Sequence, residues 1–400
     1  MFHHLPSGGG IRVLSQNLLE LVRRGCLDLH VHAPERAACL DPDPGLPFTS
    51  YPFPAGRRIS GIRRALAPLA LIARLRRFDG LCRVVASSME ERDPDLALVH
   101  NSMLIAAPPL LRHLSIPSVY VCYEYPRHIY EPGLVRRAGI AGRALLAPLR
   151  AVERRLDRAA CESASRVVAI SGYMAARIRA TYRLGAAVAV ARPGVDTGFF
   201  RPGSSWRAGS GVLSIGALWP FKGHETVIRA LGELPAASRP ALTIAADREL
   251  PGYACTLSRL AASCGVDLTI HRGIPDDRLR ELYLSSGVVV CAQRGEPYGL
   301  VPLEAMACAR PVVAVDDGGF SENVRSGVTG VLIPAIPGAV AEAVAAVLAD
   351  PARAESLGRA GRQFVLEERT VARCVDDLIE AMHGAGGRTA GELPGRGILG

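Results

Sequence analysis

Between residues 212 and 315 the chain repeats one pattern five times: a short apolar run, then a stretch with helical periodicity. The runs are VLSIG (212–216), ALTIAA (241–246), DLTIH (267–271), VVVCA (288–292) and PVVAV (311–315). Strands separated by helix-length segments cannot close as hairpins, so they are joined by crossovers and lie parallel. A doubly wound α/β sheet with helices on both faces satisfies that pattern. The first half follows the same rule less cleanly. A helix is expected over Val13–Arg24, with Val13, Leu14, Asn17, Leu18 and Leu21 as its packing face. Strands are expected at LDLHVH (27–32), LALVH (96–100), PSVYVCYEYPRH (117–128), RVVAISG and AVAVA. A proline-rich loop is expected from Pro34 to Pro54, and a long helix from Leu134 to Ala164 around Pro148. At 400 residues and 49% hydrophobic, the chain suits two cored domains rather than one.

Residues 294–333 carry the densest chemistry. Glu296 stands just after the strand VVVCA, and Glu304 lies within the helical run LVPLEAMACA that begins near Leu300. A strand, a turn reading Glu-Pro-Tyr-Gly and then a helix is where open α/β sheets bind ligands. The N-terminus of such a helix offers unpaired N–H groups and the positive end of a dipole, which suits an anion. Lys222 is the sole lysine in a chain whose other basic residues are all arginine. It follows the strand VLSIG and precedes a helix, where a flexible ammonium can neutralise a phosphate.

The spacing Glu296-x7-Glu304, followed by Gly318-Gly319-x-x-Glu322 and Gly327-x-x-Gly330, resembles the retaining glycosyltransferases of family 4. That resemblance implies a GT-B fold: two doubly wound Rossmann-like domains facing a deep interdomain cleft. Domains are expected at 1–199 on the acceptor side and 200–383 on the nucleotide-sugar side. Helix Thr370–His383 is one that in this family crosses back to the first domain, and the glycine-rich tail 384–400 is expected to be disordered. By resemblance, Lys222 binds the donor diphosphate, Glu304 the ribose hydroxyls and Glu296 the transferred sugar. Tyr298, Gly299 and Leu300 offer backbone N–H groups, Gly273 and Ile274 hold the base, and Gly216, Gly9 and Gly10 let the donor approach closely. Glu124 and His128, at the end of the strand in 117–128, are the acceptor-side catalytic candidates beside Glu296 and Lys222. The chain departs from the family in two places. Ala217 stands where the family commonly has an arginine, and Tyr123-Glu124 stands where many members have a histidine. Only Met1 and Phe2 precede His3, so the first strand is short and the natural start is expected upstream.

Charge is uneven: residues 1–195 hold 27 arginines against 15 acids, and residues 196–400 hold 20 basic residues against 23 acids. An anionic lipid, surface or carrier is a natural partner for the first half. The arginine-rich segment 57–83, with Ile62, Leu66, Leu69, Ile72 and Leu75 as an apolar stripe, reads either as an amphipathic helix on an anionic membrane or as a domain helix packed on the sheet. Pro68 is expected to kink or split it. Ten cysteines are scattered without a Cys-x-x-Cys pair, which favours a reducing cytoplasm over a zinc cluster or secreted framework. No apolar run is long enough to span a bilayer. No Asp-x-Asp metal motif is prominent, so no metal or cofactor is expected beyond a nucleotide-diphosphate sugar as co-substrate.

The expected activity is transfer of a hexose-type sugar, with retention, to a glycan, lipid or small-molecule acceptor. A sugar-nucleotide epimerase of the same architecture and a catalytically silent binding protein are the alternatives. Nucleic acid is not an expected partner, because no recognition motif or stacking platform supports one.

Overall fold

In the computed structural model the described residues are 1–386 without 6–7, 36–39, 41–44, 54–66, 132–139, 186 and 207, and side chains are described outside 67–69 and 140–146. Ser7, Ile62, Leu66, Leu134, part of the Pro34–Pro54 loop and most of the tail therefore fall outside it, as do the side chains of Leu69 and Leu145.

Among the described residues thirteen short strands, joined by crossovers within each sheet, build two parallel sheets. The first contains β1 (Phe2–His4), β2 (Val31–Pro34), β3 (Phe48–Tyr51), β4 (Ala97–Ser102), β5 (Ser118–Cys122), β6 (Arg166–Ala169) and β7 (Ala189–Val190), in the order 3-2-1-4-5-6-7. The second contains β8 (Ser210–Ile215), β9 (Leu242–Ala246), β10 (Leu268–Arg272), β11 (Ser286–Cys291), β12 (Val312–Val315) and β13 (Val331–Ile333), in the order 10-9-8-11-12-13. Each order reverses once, between β1 and β4 and between β8 and β11. Such a reversal leaves a crevice at the carboxyl ends of the two strands, because their crossovers depart to opposite sides.

The sheets belong to two compact units, one comprising Met1–Arg192 with the segment from Cys374 onward, the other Pro193–Arg373. The division falls at Arg192, ahead of the boundary expected near Phe200. Helix Val371–His383 explains why its end belongs to the first unit. It buries Cys374, Val375, Leu378, Ala381 and Met382 in one core with Leu14, Leu18, Val31, Val119 and Val168. Arg24 reinforces the contact with an ion pair to Asp376 at 2.6 Å.

Three expectations shift. The strand expected at 27–32 runs over Val31–Pro34, where His32 pairs with Phe2 of β1 and all four residues pair with Phe48–Tyr51. Within the proline-rich stretch, Phe48–Tyr51 forms β3 by pairing with every residue of β2. Helix Ala67–Glu90 holds Pro68 in its first described turn and continues unbroken. Of the expected stripe the described side chains are Ile72, half-buried, and Leu75, buried, and beyond it Phe78, Cys82, Val85 and Met89 are buried as well. Among the described residues no helix is long and apolar enough to cross a membrane.

Candidate active site

The crevice between β8 and β11 is built by glycines. After β8 the chain turns at Gly216, whose φ of 149° places its α-carbon against the Lys222 stem; a β-carbon there would lie 3.4 Å from Lys222 Cδ. Pro220–Lys222 forms a single tight turn, and Gly223 closes it with φ 81°. A β-carbon on Gly223 would meet the Ala292 carbonyl oxygen at 2.3 Å, so only glycine lets this loop lie on the backbone that leaves β11. The Lys-Gly pair thus follows from packing. Glycine brings the two strand ends together, and the lysine beside it enters the crevice between them.

His224 locks the turn from below. It is fully buried, its Nδ1 accepts from Ser214 Oγ at 3.0 Å, and its Nε2 donates to the Gly216 carbonyl at 3.2 Å. Burial drives its pKa down to about 4, against the opposing pull of the Gly216 and Ala217 backbone hydrogen bonds. The ring is therefore a neutral brace at working pH.

Lys222 Nζ lies 3.5 Å from Glu296 Oε2, both side chains partly exposed. The loop carrying Glu296 is held by a second loop stacked backbone to backbone upon it. Gly319 N–H donates to the Glu296 carbonyl at 2.7 Å, Gly295 N–H to Asp317 Oδ2 at 3.1 Å, and Asn323 Nδ2 to the Tyr298 carbonyl at 2.8 Å. A β-carbon at Gly318 would fall 2.4 Å from the Glu296 carbonyl oxygen, and one at Gly319 would fall 2.5 Å from Tyr298 Cα. Two successive glycines are what this approach requires. Tyr298 is buried, and its hydroxyl donates to the Pro193 carbonyl at 2.6 Å.

Gly299, with φ 94°, opens the eight-residue helix Leu300–Ala307. The amides of its first turn have no partner within the helix. Glu304 lies one turn in and is 6% exposed, and Oε2 accepts from the Tyr283 hydroxyl at 2.6 Å. Tyr283 is fully buried, and burial, followed by the Glu304 charge, raises its pKa well above the ordinary value, so the hydroxyl keeps its proton. Glu296, Glu304 and Lys222 all bear on one buried thiol, Cys291 at the end of β11. Burial raises its pKa most, the two carboxylates add to the rise, and the lysine opposes it. The three charges therefore gather around a single strand end.

The remaining candidates belong to other elements. Gly273, with φ 57°, and Ile274 follow the edge strand β10, where Gly273 N–H donates to the Ala246 carbonyl at 2.8 Å. In the first unit, Gly9 and Gly10 start helix Gly9–Arg24 directly after β1. Glu124 follows β5 and is exposed, 3.7 Å from Arg127 Nη1, and Asn101 ties the ends of β4 and β5 by accepting from Tyr123 N–H and donating to the Glu124 carbonyl. His128 is exposed on the short helix Arg127–Tyr130. Among the described residues no group of three or more His, Cys, Asp or Glu side chains could hold a metal ion. Sequence reasoning missed Tyr283, Asn323 and His224, whose surroundings carry no local signature.

Two parallel sheets, each with a single reversal and with helices between its strands, are the GT-B architecture expected from the sequence. A family model described as Glycosyltransferase Family 4 matches residues 7–199, and one described as Glycosyl transferases group 1 matches residues 210–364. Together they span most of the chain, which belongs to this family. A GDP-mannose-dependent alpha-(1-6)-phosphatidylinositol monomannoside mannosyltransferase of Mycolicibacterium smegmatis is 36% identical over 221 residues, 50% of this chain and 57% of that protein. The alpha-maltose-1-phosphate synthase of the same organism is 31% identical over 249 residues, 56% of this chain and 64% of that protein. The matched part is thus little more than half the length of these curated relatives. HepE of Anabaena, solved in complex with UDP and glucose, shares the fold at a TM-score of 0.70 and 17% identity, with 96% of this chain and 98% of that one covered.

Proposed function

We propose that the protein transfers a hexose-type sugar from a nucleotide-diphosphate sugar to a glycan, lipid or small-molecule acceptor with retention and without a metal ion. The observation that carries this reading is the pairing of Lys222 with Glu296 at the β8/β11 reversal, with Glu304 braced beside them. In the reaction the bond from the anomeric carbon to the phosphate oxygen breaks, and its electron pair leaves with the diphosphate. The acceptor hydroxyl oxygen bonds to the same carbon, and its proton passes to the departing phosphate. Lys222 and the amides at the start of helix Leu300–Ala307 meet the charge that develops on the diphosphate. Glu304 holds the ribose, and Glu296 takes hydroxyls of the sugar, which positions the reacting carbon. Gly273 and Ile274 border the base.

The relatives' names, which include a GDP-mannose-dependent enzyme acting on a phosphatidylinositol mannoside, support a nucleotide sugar as donor and an anionic acceptor. The excess of arginine in the first half supports the acceptor side of that reading. Nine described cysteines are all free, which supports a reducing cytoplasm. A panel of nucleotide sugars should contain one that raises the thermal midpoint, since a ligand bound by the native state stabilises it. With that donor, Lys222→Met should lower turnover by about 100-fold or more while circular dichroism stays native. Unchanged turnover would refute the role of Lys222, and sugar conversion without any acceptor would indicate an epimerase instead.

A further inference from the structure

Of the 21 aromatic Phe, Tyr and Trp side chains in the sequence, all lie among the described residues, and only Trp219 and Phe221 are exposed. Trp219 is 37% and Phe221 59% exposed, and they are the two aromatic neighbours of Pro220 in the turn that delivers Lys222. A chain that buries its other aromatic rings wholly or in part has left these two open at one place, and that place borders the candidate active site.

The exposure is built into the backbone. Trp219 N–H donates to the Ala217 carbonyl at 2.8 Å, Lys222 N–H to the Trp219 carbonyl at 3.0 Å, and Leu218 exchanges hydrogen bonds with Arg248 and Leu250 at 2.8 and 3.0 Å. Pro220 restricts the turn further. The rings are 5.9 Å apart at 52°, so they meet at an angle and do not cover each other's faces. The Lys222 ammonium stands 5.9 Å from the Phe221 centroid, while the lysine stem lies inward over Gly216.

We propose that Trp219 and Phe221 form a stacking platform for a ring of the acceptor, a pyranose or a cyclitol, and so set its hydroxyl beside the reacting carbon. The inference rests on the donor-site reading above: the inward side of Lys222 takes the diphosphate, and the outward side, where the two rings lie, is left to the acceptor. A pyranose or cyclitol has an apolar C–H face and a polar rim. Aromatic faces bind the first without desolvating the second, and they hold it at little entropic cost.

The test uses the full chain with Trp206→Phe, which leaves Trp219 as the one tryptophan. Methyl α-mannopyranoside, methyl α-glucopyranoside and myo-inositol are titrated with UDP or GDP present, and Trp219 emission is followed. A saturable change with at least one ring compound is expected, and Phe221→Ala should raise its apparent Kd about 3- to 10-fold. If Trp206→Phe unfolds the protein, the difference between wild type and Trp219→Leu reads the same signal. No response to any ring compound, or a response only to nucleotide or only to phosphatidylglycerol vesicles, overturns the platform. A thermal shift with UDP or GDP on the unaltered protein separates the two failures. If it is present without a ring response, the platform alone fails. If no nucleotide or nucleotide sugar shifts the midpoint, the donor-site reading fails with it.

Discussion

Tyr283→Phe isolates one hydrogen bond beneath the site. The hydroxyl removed is fully buried and donates at 2.6 Å to Glu304, a carboxylate only 6% exposed. The ring stays, and with it the edge-on packing against Phe200 at 5.9 Å. A hydrogen bond to a charged group contributes about 1.5–3 kcal/mol, and its loss leaves a buried oxygen short of a donor. For a folding unit of this size each kcal/mol lowers the midpoint by roughly 2–4 °C, so a fall of about 3–12 °C is expected. The functional effect follows from geometry. Glu304 sits on a short helix, and Tyr283 fixes the direction in which its second oxygen points. If that oxygen holds the donor ribose in ground and transition states alike, KM for the donor should rise about 10-fold while kcat changes little. Calorimetry and steady-state kinetics on the same preparation measure both. A variant within 0.5 kcal/mol of wild type and with unaltered donor KM would show that the bond neither stabilises the carboxylate nor aims it.

Three further substitutions test the backbone and a buried histidine. Gly223→Ala should cost well over 2 kcal/mol in urea unfolding, because its β-carbon meets the Ala292 carbonyl at 2.3 Å on top of the strain at φ 81°; Gly252→Ala, with φ 80° and open space, should cost only about 1 kcal/mol, and equal losses would refute the packing argument. In the first unit His3 is fully buried, neither ring nitrogen has a hydrogen-bond partner among the described residues, and burial, then His4 and the N-terminal amine, lower its pKa to about 4. A depressed histidine binds fewer protons folded than unfolded, so its contribution is present above pH 6.5 and is lost as pH falls toward 4, by about 3 kcal/mol in full; His3→Phe should flatten the loss of stability over that window, and an unchanged slope would refute it.

The sequence exposed the second sheet more readily than the first for a physical reason. Strands β11 and β12 are buried at every residue and β8 and β9 through most of their length, and they read as largely apolar runs, as parallel strands do. In the first sheet β1 is Phe-His-His, and β7 has two residues. Their place comes from neighbours: β1 is a strand because β2 and β4 pair with it on either side. No local window holds that information. The same applies to β3, which needs β2 opposite it before Phe48–Tyr51 becomes a strand and not a loop.

The site divides along the same line. Lys222, Glu296 and Glu304 were legible because charged groups stand out where a strand gives way to a helix, and because the spacing of the two glutamates is set within one crossover. Tyr283, Asn323 and His224 were not, since each acts through a partner 21, 25 or 10 residues away along the chain. Gly223, Gly318 and Gly319 occupy a middle position. Their identity was visible, but the reason was not, because a glycine motif records a close approach without naming what approaches. Here the contacts are Ala292, Glu296 and Tyr298, all on the one loop that leaves β11. Three glycines from two other loops converge on that segment, so the loop carrying Glu296 is clamped from both sides. The clamp makes the Lys222–Glu296 distance a property of backbone packing, and a substitution at any of the three glycines should disturb the charged pair before it disturbs the sheet.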